Sequence, residues 1–342
     1  MECIIAHRRE HAKGIFLPKT DKFILLTLLN MGVEMELVFL GTGAAWGLPE
    51  LHCPCRICAE MRRKGEKRTR TALLLKSASS LLIDCGPDIR YQLAGQPEGV
   101  PGAVLITHEH GDHYIGLDEL FVYKRLVPRG TFEPIPVYMS ARSWEVIGRR
   151  FDYLENMGVI KVNPAEPGNW FREGEWRVLP FKTDHGTFAA GSLGYLITVK
   201  EAGGEEIRIV YTSDFMELPT VPEEIMRPDY LVIQSFWLNE PKENRPRHMS
   251  FQRAMEFISR LDPRKETFLV HMGDADMVPG DPANSVLKKY EPLDPLRPPG
   301  SDRPYPIPLN QEQWQGTVNR VLLDRHLDYT VTVARDGLSV TL

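Results

Sequence analysis

The chain has 342 residues, 42% hydrophobic and 25% charged, with a formal net charge of −5. That balance excludes a disordered or fibrous chain, and no apolar run is long enough to span a bilayer. The acidic sign removes any general attraction to nucleic acid or anionic lipid.

Residues 1–34 are mixed and aperiodic and read as an N-terminal extension, disordered or not native. Phe23–Leu29 is apolar and follows basic residues, as in a signal peptide. It is short, however, and no small-residue cleavage site follows, so the reading is a cytoplasmic protein. Residues 35–342 read as one domain. Its first strand, Glu36–Leu40, runs into Gly41-Thr42-Gly43, a tight turn more readily than an anion cradle. Further strands are expected at 71–76, 79–84, 103–107, 134–138, 176–183, 193–199, 206–212, 229–234 and 266–270. Helices are expected at 88–94, 114–126, 141–156 and 250–261, the last capped by Ser250. Strands come first as hairpins and later alternate with helices. This pattern predicts an α/β protein with two sheets face to face and helices outside, a four-layer αββα sandwich. Residues 275–308 carry Pro292, Pro295, Pro298, Pro299, Pro304, Pro306 and Pro308 and read as a Pro-rich insertion, a loop or semi-rigid linker rather than a packed segment. A helix near 310–325 and a final hairpin turning at Asp336-Gly337 complete the chain.

The strongest chemical signal is Thr107-His108-Glu109-His110-Gly111-Asp112-His113, directly after the apolar strand Ala103–Thr107. A lone histidine is usually a core or surface residue. Here three imidazoles and a carboxylate leave one strand end together, and such donors suit zinc, manganese or iron. Three later strand ends carry Asp184-His185-Gly186, Thr212-Ser213-Asp214 and His271. In order and spacing, the whole set resembles the signature of the metallo-β-lactamase superfamily over residues 36–342.

The resemblance implies two divalent metals, zinc or manganese. His108, His110 and His185 would hold one, and Asp112, His113 and His271 the other. Asp214 would bridge them opposite a shared water. Such a pair, ~3.5–4 Å apart, lowers the pKa of bound water toward ~7, so a bridging hydroxide would be the nucleophile and Asp112 would belong to the catalytic group.

The five cysteines are Cys3, Cys53, Cys55, Cys58 and Cys85, and the cluster Cys53-Pro54-Cys55-Arg56-Ile57-Cys58 suits a metal site in a reducing compartment better than a disulfide framework. Three thiolates can hold one structural zinc. A glycine loop, this cluster and then the histidine run resemble the phosphoribosyl cyclic phosphate phosphodiesterases of the C–P lyase pathway, and also the B-type proteins of pyrroloquinoline quinone biosynthesis. In the phosphodiesterases a histidine three residues after the last metal-binding histidine completes the zinc. Here that position is Asp274, with His52 and Asp276 as rivals.

Arg245-Pro246-Arg247-His248-Met249-Ser250 lies between a strand and a helix. By the same resemblance His248 faces the active site, where it would stabilise the scissile phosphate or protonate the leaving oxygen. The bland alternative is a loop histidine near a helix start. The basic run Arg62–Arg70 is most simply a solvated loop, with Arg68 or Arg70 as phosphate contacts in the sharper reading.

The implied function is hydrolysis of small, including cyclic, phosphodiesters. A tRNA 3′-processing endonuclease, a lactone, thioester or β-lactam hydrolase, and a non-enzymatic accessory protein stay open beside it. The expected partner is a small-molecule phosphodiester. Membrane and nucleic acid are not expected, and a homodimer is allowed.

Overall fold

Short runs rich in leucine, isoleucine and valine build two seven-stranded sheets in the computed structural model, which describes residues 35–96, 99–200 and 204–342. The N-terminal extension, with Phe23–Leu29 and Cys3, lies outside the described residues. The first sheet is formed by β1 (Glu36–Gly41), β2 (Ala72–Lys76), β3 (Ser80–Ile83), β4 (Ala103–Leu105), β5 (Ile135–Met139) and β6 (Ile160–Pro164). The second holds β7 (Phe171–Glu173), β8 (Trp176–Lys182), β9 (Leu193–Lys200), β10 (Glu206–Tyr211), β11 (Tyr230–Gln234), β12 (Glu266–Val270) and β13 (Val331–Val333). The last strand, β14 (Leu338–Thr341), returns to the first sheet beside β1. Each sheet changes character along its width. β1 to β3 pair antiparallel and β3 to β6 parallel, while β7 to β10 pair antiparallel and β10 to β13 parallel.

Side chains alternate across a strand. Leu37, Phe39, Leu73, Leu75 and Ile83 point toward the other sheet and meet Trp176, Tyr195, Ile197, Val232 and Phe268. Phe39 and Phe268 bring their ring centroids to 4.9 Å at the centre of this layer. The intervening residues Val38, Leu74, Leu82 and Val104 pack on the outer helices. With both faces buried, these strands read as continuous apolar runs.

The helices in chain order are α1 (Arg56–Lys64), α2 (Ile89–Ala94), α3 (Gly111–Tyr114), α4 (Phe121–Arg125), α5 (Ala141–Asn156), α6 (Phe251–Leu261) and α7 (Gln311–Asp324). Ile147 and Leu154 of α5 cover the outer face of the first sheet. On the second sheet, Leu231, Ile233 and Leu269 are covered by Phe251, Ala254 and Ile258 of α6 and by Trp314 and Val318 of α7. The result is the expected αββα sandwich. Ser140 and Ser250 cap α5 and α6 by accepting from the amides of Ser143 and Arg253.

Several expectations are corrected. Residues 114–126 do not form one helix: a 3-10 segment, Ile115–Leu120, separates α3 from α4. Gly116 turns its amide to the Cys85 carbonyl at 2.8 Å, and a Cβ there would lie 2.1 Å from the Gly86 carbonyl oxygen. That close approach diverts the backbone. Part of the basic run is not a loop, since Arg62, Arg63 and Lys64 form the last turn of α1, where positive charge complements the helix dipole. The edge strands β6 and β7 are additional to those expected; apart from Ile160 their side chains are half-buried or exposed, which weakens the apolar pattern.

The final strands are not a hairpin, because β13 pairs with β12 and β14 with β1. Asp336 fastens the crossing between sheets by accepting from the Thr69 amide at 2.6 Å and the Thr42 hydroxyl at 2.8 Å. The Pro-rich segment 275–308 is irregular apart from a 3-10 turn at Pro282–Ser285, but it is packed. Val278 and Ala283 lie against the cysteines, and Leu296 and Tyr305 against α6 and α7. Proline removes backbone donors yet leaves apolar side chains free to pack. Among the described residues, no helix is long and apolar enough to cross a membrane.

Candidate metal centre

The ends of β4, β8, β10 and β12 open on one side of the sandwich, and the loops that follow carry the donors. His108, His110 and His185 bring ligand atoms within 4.8 Å of one another, and so do Asp112, His113, Asp214 and His271. Asp214 stands at the junction: its Oδ2 is 2.9 Å from His271 Nε2, 3.3 Å from His113 Nε2 and 4.0 Å from His185 Nε2. Asp112 Oδ2 lies 3.1 Å from His113 Nε2. Asp84, Ser213 and His271 hold left-handed φ angles of 63°, 62° and 60° at this end, backbone strain concentrated around the donors.

The hydrogen bonds behind the imidazoles fix their tautomers. Thr107 Oγ1 donates to Asp84, so it accepts from His108 Nδ1 at 3.0 Å. Thr71 Oγ1 donates to the Gly43 carbonyl and accepts from His271 Nδ1 at 3.2 Å. His113 Nδ1 donates to Asp84 at 2.7 Å, and His185 Nδ1 donates to the Arg247 carbonyl at 3.0 Å. All four rings therefore turn a lone pair inward on Nε2, as metal-binding histidines do. These four buried Nε2 atoms and Asp214 Oδ1 have no hydrogen-bond partner, which is costly for polar atoms unless a cation takes them up. The residues thus fit divalent metals.

Charge states agree with that fit. Burial pushes the His108 imidazole well below its ordinary pKa, and the His185 imidazole down to about 4, so both are neutral donors. Burial works against the Asp214 carboxylate, but His271 and His113 outweigh it and keep the group ionised. His113 differs: burial opposes its charge, yet Asp112, Asp84 and Asp214 together favour a positive ring, the electrostatic field that a cation at Nε2 would satisfy.

His248 is wired the opposite way. Gln234 Oε1 accepts from the amides of Phe215 and Met249 at 3.0 and 3.2 Å, which leaves its Nε2 to donate to His248 Nδ1 at 2.6 Å. His248 consequently carries its hydrogen on Nε2. Its ring stacks on Phe236, centroids 4.5 Å apart, and offers a ligand-type nitrogen within 4.8 Å of His185 and Asp214. A ring that presents a proton is a poor ligand, so this third grouping is a donor facing the centre and not another metal site.

A cleft of about 480 Å³ lies over the donors, lined by His110, Asp112, His185, Asp214, Arg247 and His248 among others. Arg247 pairs with Asp184 at its rim. A neighbouring cavity of about 410 Å³ shares Trp46, Pro246 and His248 with it.

The cysteines form a separate buried cluster. Sγ of Cys53, Cys55 and Cys58 lie 3.4, 3.3 and 3.1 Å from Asp274 Oδ2. Cys55 also caps α1, its sulfur accepting from the Cys58 amide. The two rivals are elsewhere: His52 is exposed, and Asp276 accepts from the Leu238 amide. Cys85 is buried in the outer core of the first sheet.

Arg68 is corrected from a phosphate contact to a structural residue. It is buried and donates to Thr42 Oγ1 at 2.7 Å, to the Ala334 carbonyl at 2.6 Å and to Gln311. Arg70 pairs with Asp88 at 3.2 Å and donates to the Ala45 carbonyl. Gly41 serves strand approach, since a Cβ there would meet the Arg70 carbonyl oxygen at 2.0 Å. Sequence reasoning missed Asp84, Thr71 and Gln234. Asp84 left a trace, an acid closing an apolar strand, whereas the other two resemble any polar residue at a strand boundary.

Comparison with known proteins bears on the same features. The chain is 27% identical over 253 residues to an octanoyltransferase of Porphyromonas gingivalis, covering 70% of this chain and 46% of that protein. It is 30% identical over 181 residues to ribonuclease Z of Oceanobacillus iheyensis, covering 50% of this chain and 52% of the relative. It therefore spans about half the length of these curated relatives. The fold matches a diphosphatase of the PhnP family with a TM-score of 0.63 at 20% identity, over 91% of this chain and 98% of the other. It matches zinc-bound PqqB from Methylobacterium extorquens with a TM-score of 0.63 at 20% identity, over 90% of this chain and all (100%) of the other. The sequence profile of the beta-lactamase superfamily domain covers residues 80–272, from β3 through His271. The chain belongs to the metallo-β-lactamase superfamily, whose members are generally metal-dependent hydrolases.

Proposed function

We propose that residues 35–342 are a binuclear metal-dependent phosphodiesterase acting on small phosphodiesters, ribose cyclic phosphates among them. The observation that carries this is the opposed wiring of the five imidazoles at this centre whose back-side hydrogen bonds are seen, those of His108, His113, His185, His271 and His248. Four turn lone pairs inward, and His248 alone turns a hydrogen toward the same cleft. When bound, two divalent metals, zinc or manganese, supply Lewis acidity and an activated water. His108, His110 and His185 would hold one and Asp112, His113 and His271 the other, with Asp214 between them. Cys53, Cys55, Cys58 and Asp274 would hold a third, structural zinc.

Among the chain's own groups, ionised Asp112 accepts hydrogen from the attacking water and Arg247 fixes the cleft rim. His248, held by Gln234 and Phe236, donates a hydrogen bond from Nε2 and so stabilises the leaving oxygen as it gains charge. Because His248 lines both cavities, a leaving group seated in the second would place its oxygen beside that hydrogen. A cleft of about 480 Å³ suits a small molecule, and a PhnP-family diphosphatase shares the fold, in keeping with a phosphate-containing substrate. Ribonuclease Z, matched over half of this chain, supports tRNA 3′ processing as a second reading.

The test is turnover of the metal-loaded protein on an aryl phosphodiester, a ribose cyclic phosphate, a lactone, a thioester and precursor tRNA. Hydrolysis of the two phosphodiesters with little tRNA processing is expected. His248→Ala should cut turnover about 10²–10³-fold on a poor leaving group, less on the aryl ester, with metal content unchanged. Equal losses on both esters would overturn the donor role. Activity confined to the lactone or thioester would overturn the substrate class, and efficient tRNA cleavage would favour the second reading.

A further inference from the structure

The cysteine cluster departs from a thiolate-and-histidine site in one respect that the structure explains. Its fourth member is a carboxylate, Asp274, whose Oδ2 reaches all three sulfurs at 3.1–3.4 Å. Three thiolates and a carboxylate around a dication leave two uncompensated negative charges in a buried place. A neutral imidazole in the same position would leave one.

The missing positive charge is present. Lys289 Nζ lies 3.4 Å from Asp274 Oδ2, and its side chain is only 3% exposed. The same ammonium donates to the Asp274 carbonyl, so it contacts the residue at two points. A buried ammonium is costly unless an anion compensates it. The Pro-rich segment brings it in: the Tyr290 amide donates to the Ala275 carbonyl at 2.9 Å, and Asp276 and Tyr290 form a parallel bridge. The lysine thereby sits beside the cluster although 15 positions separate it from Asp274.

We infer that Lys289 is the built-in counter-cation of a three-cysteine, one-aspartate metal site. It offsets the extra charge that aspartate brings and so sets how tightly the site holds zinc. This rests on the cluster being a zinc site, and the experiment separates the two claims.

Zinc content by mass spectrometry and the rate of zinc release to a chelator are compared for the full chain and for Lys289→Met, Lys289→Arg, Asp274→His and the double variant Asp274→His/Lys289→Met. Lys289→Met should release the cysteine-site zinc about 10–100-fold faster, the range seen when a residue behind a metal ligand is lost. Lys289→Arg, which keeps the charge, should stay near the unaltered protein. In the double variant, neutral histidine removes the need for the cation, so slow release should return.

Release from Lys289→Met at the unaltered rate would overturn the inference. A double variant as leaky as Lys289→Met would also overturn it, since Lys289 would then be only a packing and hydrogen-bonding element. If Lys289→Met fails to fold, the double variant still decides. It folds and holds zinc if charge is the issue and fails if packing is. Equal zinc content in the unaltered chain and Cys55→Ser would instead remove the cysteine site itself, and the inference with it.

Discussion

The histidine–aspartate centre and the cysteine–aspartate cluster are both buried sets of metal-type donors, but they are held by different parts of the fold. The first is assembled at the ends of β4, β8, β10 and β12, strands from both sheets, and the rings of His108, His113, His185 and His271 are braced from behind by Thr107, Asp84, the Arg247 carbonyl and Thr71. The second has no strand behind it. It joins the loop before α1 and the first turn of that helix, the stretch after His271 and the Pro-rich segment, with Val278 and Ala283 as its apolar surround. Rigid sheet ends can keep several donors poised beneath an open cleft, which chemistry requires. Loops without a ladder gain from a cross-link, which a closed metal site at the cysteines would supply.

If this contrast holds, damage to each site should read out differently. His113→Ala should have the largest effect on turnover, well beyond the roughly 10–100-fold cost of changing a residue behind a ligand. It should lose one active-site metal and leave the cysteine-site zinc in place, as metal analysis of the purified variant would show. Full activity in this variant or in metal-free protein would break the comparison at its catalytic end.

Asp84→Asn sharpens the contrast at the next level. Asp84 accepts from His113 at 2.7 Å and from the Thr107 amide at 2.9 Å, so it orients one ring and the strand end that carries His108. A loss of about 10–100-fold in turnover or metal affinity is expected, with an unchanged circular dichroism spectrum. An unaltered metal titration would show that the backing network is not needed.

Cys55→Ser should have the smallest direct effect on chemistry. It should release one zinc and lower the melting temperature by at least about 5 °C, given the ~2–4 °C per kcal/mol typical of larger domains. The active-site metals should stay bound. Unchanged zinc content and melting temperature would mean the three thiols are not a metal site, and the loops would then be held by packing alone.

Much of this was legible along the chain because it is local. The run His108–His113 announces itself, since four donors follow one apolar strand, and Cys53, Cys55 and Cys58 fall within one turn and its approach. Asp274 was reachable only through a resemblance, with His52 and Asp276 as equal candidates by chemistry. The fold decides among them by placing the Asp274 carboxylate against all three sulfurs and His52 in solvent. The helix expected at 114–126 failed at Gly116 because periodicity does not register a backbone contact with Cys85 and Gly86. Likewise the Asp336-Gly337 turn looked like a hairpin because turn chemistry does not say which sheet each arm joins.

The sequence by itself determined the layered α/β class, the strand ends that carry metal donors and the three-thiol cluster, because all of these depend on the order and spacing of neighbours. The tertiary structure alone decided which nitrogen of each imidazole faces inward, that His248 presents a hydrogen where the others present lone pairs, and that Lys289 stands beside Asp274. Those facts depend on hydrogen-bond partners and charges far away along the chain, and only packing brings such groups within a few ångströms of each other.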